Sequence, residues 1–210
     1  MIKNSKTSRN REIFNMVFTA ALAAIIVVLT VLGGYINLFG LVQITIIQIP
    51  VFIGAIVLGR KYGLILGFIW GAGSMIRSFI EVIPQNVAFT NPLLSVLPRM
   101  AIGYFAAILY EYFRKLISDK TVHTALTMLV ATMIHTLIVI PLLYFVAKTG
   151  FYFYAASFEN IIEGKFFAFL GALIVSNMLL EMAASVIVGT PISLALKQVI
   201  ANYDKTTDLR

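Results

Sequence analysis

The stretch QIPVFIGAIVLGRKYGLILGFIWG, residues 48–71, holds two apolar runs separated only by GRKYG. So short a connection permits nothing but a tight reversal, which makes the two runs antiparallel neighbours. The charges of the stretch, Arg60 and Lys61, both sit in that reversal. A wetted turn between two uncharged runs is the pattern of helices solvated by lipid rather than water.

The rest of the chain extends this pattern. Its 210 residues are 60% hydrophobic and 12% charged, with a mean hydropathy of +0.95. Soluble domains run at about 45–50% apolar and about 25% charged. There is no cysteine, which excludes a disulfide framework and a thiolate metal site. The net charge of +7 suggests nucleic acid at first sight. The basic residues lie between apolar segments, however, and not along one polar face, so no nucleic acid is expected. The solvating partner is the lipid bilayer.

Six apolar segments are marked at 14–34, 44–59, 62–79, 93–113, 122–147 and 166–196, each near the ~20 residues that cross a bilayer. The expected fold class is an all-α membrane protein of six transmembrane helices, one integral domain over 1–210. The basic leader, 1–12, could open a signal peptide. Against that, Phe14–Leu32 exceeds the usual ~7–15-residue apolar core, and no polar domain follows. Twelve of the sixteen Lys and Arg fall before segment one, between two and three, between four and five, or after six. Both termini are therefore expected on the cytoplasmic side. No internal repeat or low-complexity tract is visible.

The opposite connections are unusual. GGYINLFGLVQ (33–43) has no charge, FIEVIPQNVAFTNP (79–92) is apolar with two prolines, and KTGFYFYAASFENIIEGK (148–165) is aromatic. Such loops suit a lid folded over a pocket, with Tyr35, Asn37 and Phe89 as its residues. An aromatic belt at headgroup level is the other reading.

Ionisable residues within spans are costly and mark function or mutual pairing. They are Arg77, Arg99, His135 and Glu181. Arg99, in NPLLSVLPRMAIG (91–103), lies roughly 9 Å below the outer end of its segment, and Glu181 roughly 20 Å below its own. An internal bridge to Glu181 must close that gap, and Glu81 offers a second carboxylate. An anionic ligand is the other solution, since guanidinium grips a carboxylate or phosphate with two prongs. Arg77 either joins that ligand or snorkels to the interface. His135, Asn91, Gln48, Trp70 and Asn177 are candidate pocket neighbours. Each could instead make an interhelical hydrogen bond or, for Trp70, simply pack.

Catalytic readings are weak. Ser74 in WGAGSMI lacks the second glycine of G-x-S-x-G, and His135 has no orienting acid near it in sequence. No second ligand stands at helical spacing from His135, so neither metal nor other cofactor is expected. There is no phosphate-binding G-x-x-x-x-G-K-[ST] and no repeated half with broken helices. A transport function would draw its driving force from another subunit. Ala20 and Ala24, four apart on the first segment, could let a partner helix approach closely, or serve internal packing.

Taken together, the basic N-terminus, Ala20/Ala24, residues 48–71 and TNPLLSVLPRMAIGYFAAILY (90–110) resemble the S-components of energy-coupling factor (ECF) transporters over essentially the whole chain. QIPVFIGAIVLGRKYG followed by NPLLSVLPR is most similar to the pantothenate branch, with Arg60 where that family's turn usually has proline. The resemblance implies a six-helix subunit that captures a vitamin beneath its outer loops. It also implies a module of one transmembrane coupling subunit (EcfT) and two ATPases (EcfA and EcfA′), contacted through Ala20 and Ala24. Pantothenate, with one carboxylate for Arg99, fits the residues. Folate, a pyridoxine- or hydroxymethylpyrimidine-type vitamin, riboflavin and, from another class, an intramembrane serine hydrolase remain as alternatives.

Overall fold

The computed structural model describes residues 2–32, 35–38, 42–80, 88–149 and 178–208. Helix α1 (Ile2–Val31) leads into an antiparallel hairpin, β1 (Tyr35–Leu38) and β2 (Val42–Thr45). Its register sets Tyr35 against Thr45 and Asn37 against Gln43. Then follow α2 (Gln48–Leu58), α3 (Arg60–Ile80), a 3-10 turn (Ala88–Thr90), α4 (Pro92–Ser95), α5 (Leu97–Leu116) and α6 (Lys120–Thr149). Residues 178–184 form α7, which runs through a π-helical turn, Ser185–Gly189, into α8 (Thr190–Asp208).

Among the described residues, five helical stretches are long and apolar enough to cross a membrane: Arg11–Val31, Arg60–Ile80, Pro92–Leu116, Lys120–Leu143 and Met178–Tyr203. Their outward faces carry Phe68, Ile76, Phe105, Leu137 and Ile187, as lipid contact requires. The expected second span is shorter than 44–59. Its first residues are spent on β2, and the 11 residues of α2 reach only about 16 Å, half the hydrocarbon thickness. The all-helical expectation therefore holds for the bundle, with the hairpin added at one end. The sixth helix extends past the expected 196, and residues 166–177 lie outside the described part.

Local chemistry sets these boundaries. Gly59, at φ 98°, ends α2 in a conformation that side-chain-bearing residues resist, and its N–H closes on Ala55 O at 3.1 Å. Gly63 N–H already bonds Gly59 O at 3.0 Å, so the reversal read from GRKYG is a single glycine wide. Asn91 caps α4 by accepting from Leu93 N–H at 2.8 Å, with Pro92 at the first helical position. Pro98 opens α5 in the same way.

Packing centres on α3 and α5. A β-carbon added at Gly67 would overlap the Arg99 carbonyl oxygen and stand 3.0 Å from Met100 Cα. Gly63 faces Gly103 in the same fashion, and Gly71 lies against the backbone of Ser95 and Val96. Three glycines at four-residue spacing thus let two backbones touch, the small-residue mode of helix association in lipid. Leu66, Trp70 and Ile102 fill the adjoining core with Phe52, Ile26 and Met128. Bundle closure comes from α1 meeting α8, where the Phe14 and Tyr203 rings stack at 4.8 Å.

Substitution at Gly67 should therefore be far costlier than at Gly73, where an added methyl meets only the Thr30 side chain at 3.2 Å. Gly67→Ala is expected to lose about 1–3 kcal/mol or more, because backbone cannot rotate away. Gly73→Ala should come near neutral, its tight methyl offset by better helix propensity. Thermal unfolding of the two purified variants in one detergent measures the contrast.

Candidate functional site

Arg99 is the third residue of α5 and only 5% exposed. Pro98 has no N–H, so it leaves the Leu94 carbonyl without its usual helical donor. The Arg99 guanidinium turns back into that gap, Nη1 donating to Ser95 O at 2.6 Å and Leu94 O at 3.3 Å. Its Cζ lies 4.9 Å from the Trp70 ring centroid and 5.2 Å from that of Phe89. A delocalised cation between two aromatic rings retains charge with little water. Ser95 Oγ donates to Gly71 O at 3.1 Å, tying this corner to α3.

Trp70 continues the cluster, its ring 4.9 Å from that of His135 on α6. Trp70 Nε1, both ring nitrogens of His135 and Ser74 Oγ are buried without a hydrogen-bond partner among the described residues. Each such group costs about 1–3 kcal/mol if left unmet. Ser74 and His135 consequently form no dyad, and none of the described residues bonds the imidazole to orient it as a base. The hydrolase reading has no geometry behind it.

A second polar group stands beside the first, on α2, α6 and α7. Glu181, 7% exposed, accepts from Thr45 N–H at 2.8 Å and faces the Thr45 and Gln48 side chains. That bond places it beside the last residue of β2. Among the described residues it makes no salt bridge to Arg99, although the two lie within Coulombic range, as do Arg99 and His135. Arg60 and Glu111 form an exposed ion pair at the other end. Gln48 Nε2 donates to Ser185 Oγ at 3.3 Å, and Ser185 meets Thr132 Oγ1 at 3.1 Å. Thr132 and His135, three apart on α6, present one buried face to both groups.

Of the residues singled out in sequence, Arg99, Trp70, His135 and Gln48 come together here, with Phe89 over the arginine. Asn91 is adjacent, its side chain engaged in the α4 cap. Arg77 stands apart, donating from Nη1 to the Thr30 carbonyl at 3.0 Å near the end of α1. Tyr35 and Asn37 lie on β1. Asn177 and Glu81 lie outside the described residues. Ala20 and Ala24 are exposed on α1. Sequence reading missed Ser185, Thr132 and the glycine row. Only the row had a signal, the four-residue spacing of Gly63, Gly67 and Gly71.

Comparison with known proteins agrees with this architecture. Residues 14–193 match the family model described as ECF transporter, substrate-specific component. A relative, the pantothenic acid transporter PanT of Lactococcus lactis subsp. cremoris (strain MG1363), is 26% identical over 169 residues, 74% of this chain and 78% of that protein. With several apolar membrane-crossing helices and a family match over most of its length, the chain is a multi-pass membrane protein and belongs to the substrate-specific components of ECF transporters.

Proposed function

We propose that this subunit binds a small anionic vitamin, pantothenate, and delivers it for ATP-driven uptake. The partner would be a module of one transmembrane coupling subunit (EcfT) and two ATPases (EcfA and EcfA′). The observation that carries the substrate is a buried guanidinium, flanked by Trp70 and Phe89, next to orphaned polar atoms of Trp70, His135 and Gln48. A carboxylate would meet Arg99, and amide or hydroxyl groups would meet the neutral partners. The distant pantothenic acid transporter supports the same substrate. Asn91 would hold the arginine's loop in shape, and Phe89, Tyr35 and Asn37 would belong to the closing loops. Asn177 and Arg77 are retained as further candidates. The subunit itself performs no catalysis on this reading.

Purified protein should retain radiolabelled pantothenate, displaced by unlabelled pantothenate and not by folate. Arg99→Ala should weaken binding by about 1.5–3 kcal/mol, roughly tenfold to 150-fold, the scale of a hydrogen bond to a charged group. Unchanged affinity in that variant would make Arg99 structural, and displacement by folate alone would reassign the vitamin.

The exposed Ala20 and Ala24 are the proposed seat of the coupling subunit. Ala20→Leu with Ala24→Leu should leave pantothenate binding by the isolated subunit unchanged and abolish uptake in cells co-expressing the module. Normal uptake in the double variant would move the contact elsewhere.

A further inference from the structure

Hydrogen bonding around Gln48 fixes which way its amide points. Thr132 Oγ1 lies 2.9 Å from the Met128 carbonyl four residues before it, the normal destination of its proton in an apolar helix. The same hydroxyl also points to Ser185 Oγ at 3.1 Å, and that oxygen accepts from Gln48 Nε2 at 3.3 Å. The group that Gln48 presents to it is therefore the NH2, and Gln48 Oε1 faces away. That oxygen is fully buried and has no donor among the described residues. Glu181 lies four residues before Ser185 on the same helical face and adds a carboxylate, which accepts from Thr45 N–H at 2.8 Å and faces the Thr45 and Gln48 side chains. The π-helical turn starts at Ser185 and holds it against Gln48 while the buried stripe shifts by one residue to Thr190 and Ser193. Gln48, Glu181 and Ser185 thus make a side of the cluster rich in acceptors. Arg99 and Trp70 Nε1, which can only donate, make the other.

We infer that Glu181 and the Ser185-oriented Gln48 form a second recognition pole, which accepts hydrogen bonds from hydroxyl groups at the ligand end remote from its carboxylate. This rests on the anionic-vitamin reading above and deepens it. An acid lacking hydroxyls would satisfy the arginine and leave the buried Gln48 Oε1 unmet, a strong basis for rejecting it. An alcohol lacking the acid would do the reverse. The bundle separates the poles by placing the donors on α3 and α5 and the acceptors on α2 and α7. That separation also explains why Glu181 does not neutralise Arg99, since their sites face opposite ends of one ligand.

The test uses the full chain in detergent with three probes: pantothenate, an N-acyl-β-alanine of the same carbon skeleton without hydroxyls, and pantothenol, in which a hydroxymethyl group replaces the carboxylate. Wild type should bind pantothenate roughly tenfold to a hundredfold more tightly than the hydroxyl-free acid. Glu181→Gln retains an oxygen for Thr45 N–H but replaces the other acceptor with a donor. It should bring pantothenate down to the affinity of the hydroxyl-free acid and leave the latter within about twofold of its wild-type value. Arg99→Ala should weaken both acids and spare pantothenol. Ser185→Ala, which keeps the carboxylate and frees Gln48, should show a smaller loss of the same selectivity. It decides the matter if thermal unfolding shows that Glu181→Gln does not fold.

Equal weakening of both acids by Glu181→Gln, or no change in either, overturns the second pole. So does a wild type that does not distinguish the two acids, a result that leaves the anion reading intact. Failure of the wild type to bind either acid removes the anionic-vitamin reading, and the second pole falls with it.

Discussion

Contact between the backbones of α3 and α5 is the constraint from which the site follows. Gly67 lies directly against the Arg99 carbonyl, Gly63 against Gly103, and Gly71 against Ser95 and Val96. Between apolar helices in lipid no hydrophobic force favours association, so close van der Waals contact must hold them. The same contact sets the height and rotation of α5 and therefore where a guanidinium enters an otherwise hydrocarbon interior. Trp70, one residue before Gly71, is delivered to the face of that guanidinium by the same row.

Burying an arginine at this depth is expensive, and the chain offsets the cost in steps that use its own irregularities. Asn91 caps a four-residue helix, Pro98 prevents that helix from running smoothly into the next, and the carbonyl so left over accepts from Arg99. Two aromatic rings cover the cation. Prolines that would weaken an ordinary span here create an acceptor where a charged donor needs one. Across the cluster, the π-helical turn has a comparable role: it seats Ser185 on Gln48 and Thr132. Irregular backbone within a membrane bundle is tolerated where protein groups take up the freed polar atoms, and both irregular segments border the polar cluster.

The two ends of the bundle are chemically unlike. One carries the hairpin, the 3-10 turn and the buried cluster. The other carries an exposed Arg60–Glu111 pair, the single-glycine reversal at Gly59 and the stacked Phe14 and Tyr203 rings. Tyr110 joins His123 at 3.2 Å there and lies under Lys197 at 3.7 Å, so three helices are fastened by polar contacts that need no ligand. A bundle locked at one end and holding orphaned polar atoms toward the other suits a binding subunit, because the rigid end positions the groups that must meet a ligand.

Membrane residence, the apolar helices apart from the shortened α2, the reversal at Gly59 and the separation of basic residues were legible in the sequence alone. They depend on how many consecutive residues avoid charge, and that is a property of a line. Arg99, Trp70, His135 and Gln48 were legible as candidates because a polar side chain in an apolar run costs free energy whatever its neighbours. What they meet is decided only in three dimensions. Glu181 takes Thr45 N–H and faces Gln48 instead of bridging Arg99; Arg77 reaches the Thr30 carbonyl; β2 claims the start of the second segment. Each outcome turns on helix rotation, crossing angle and axial offset. Those quantities are set by glycines, prolines and one π turn acting on distant segments, and no local pattern records them.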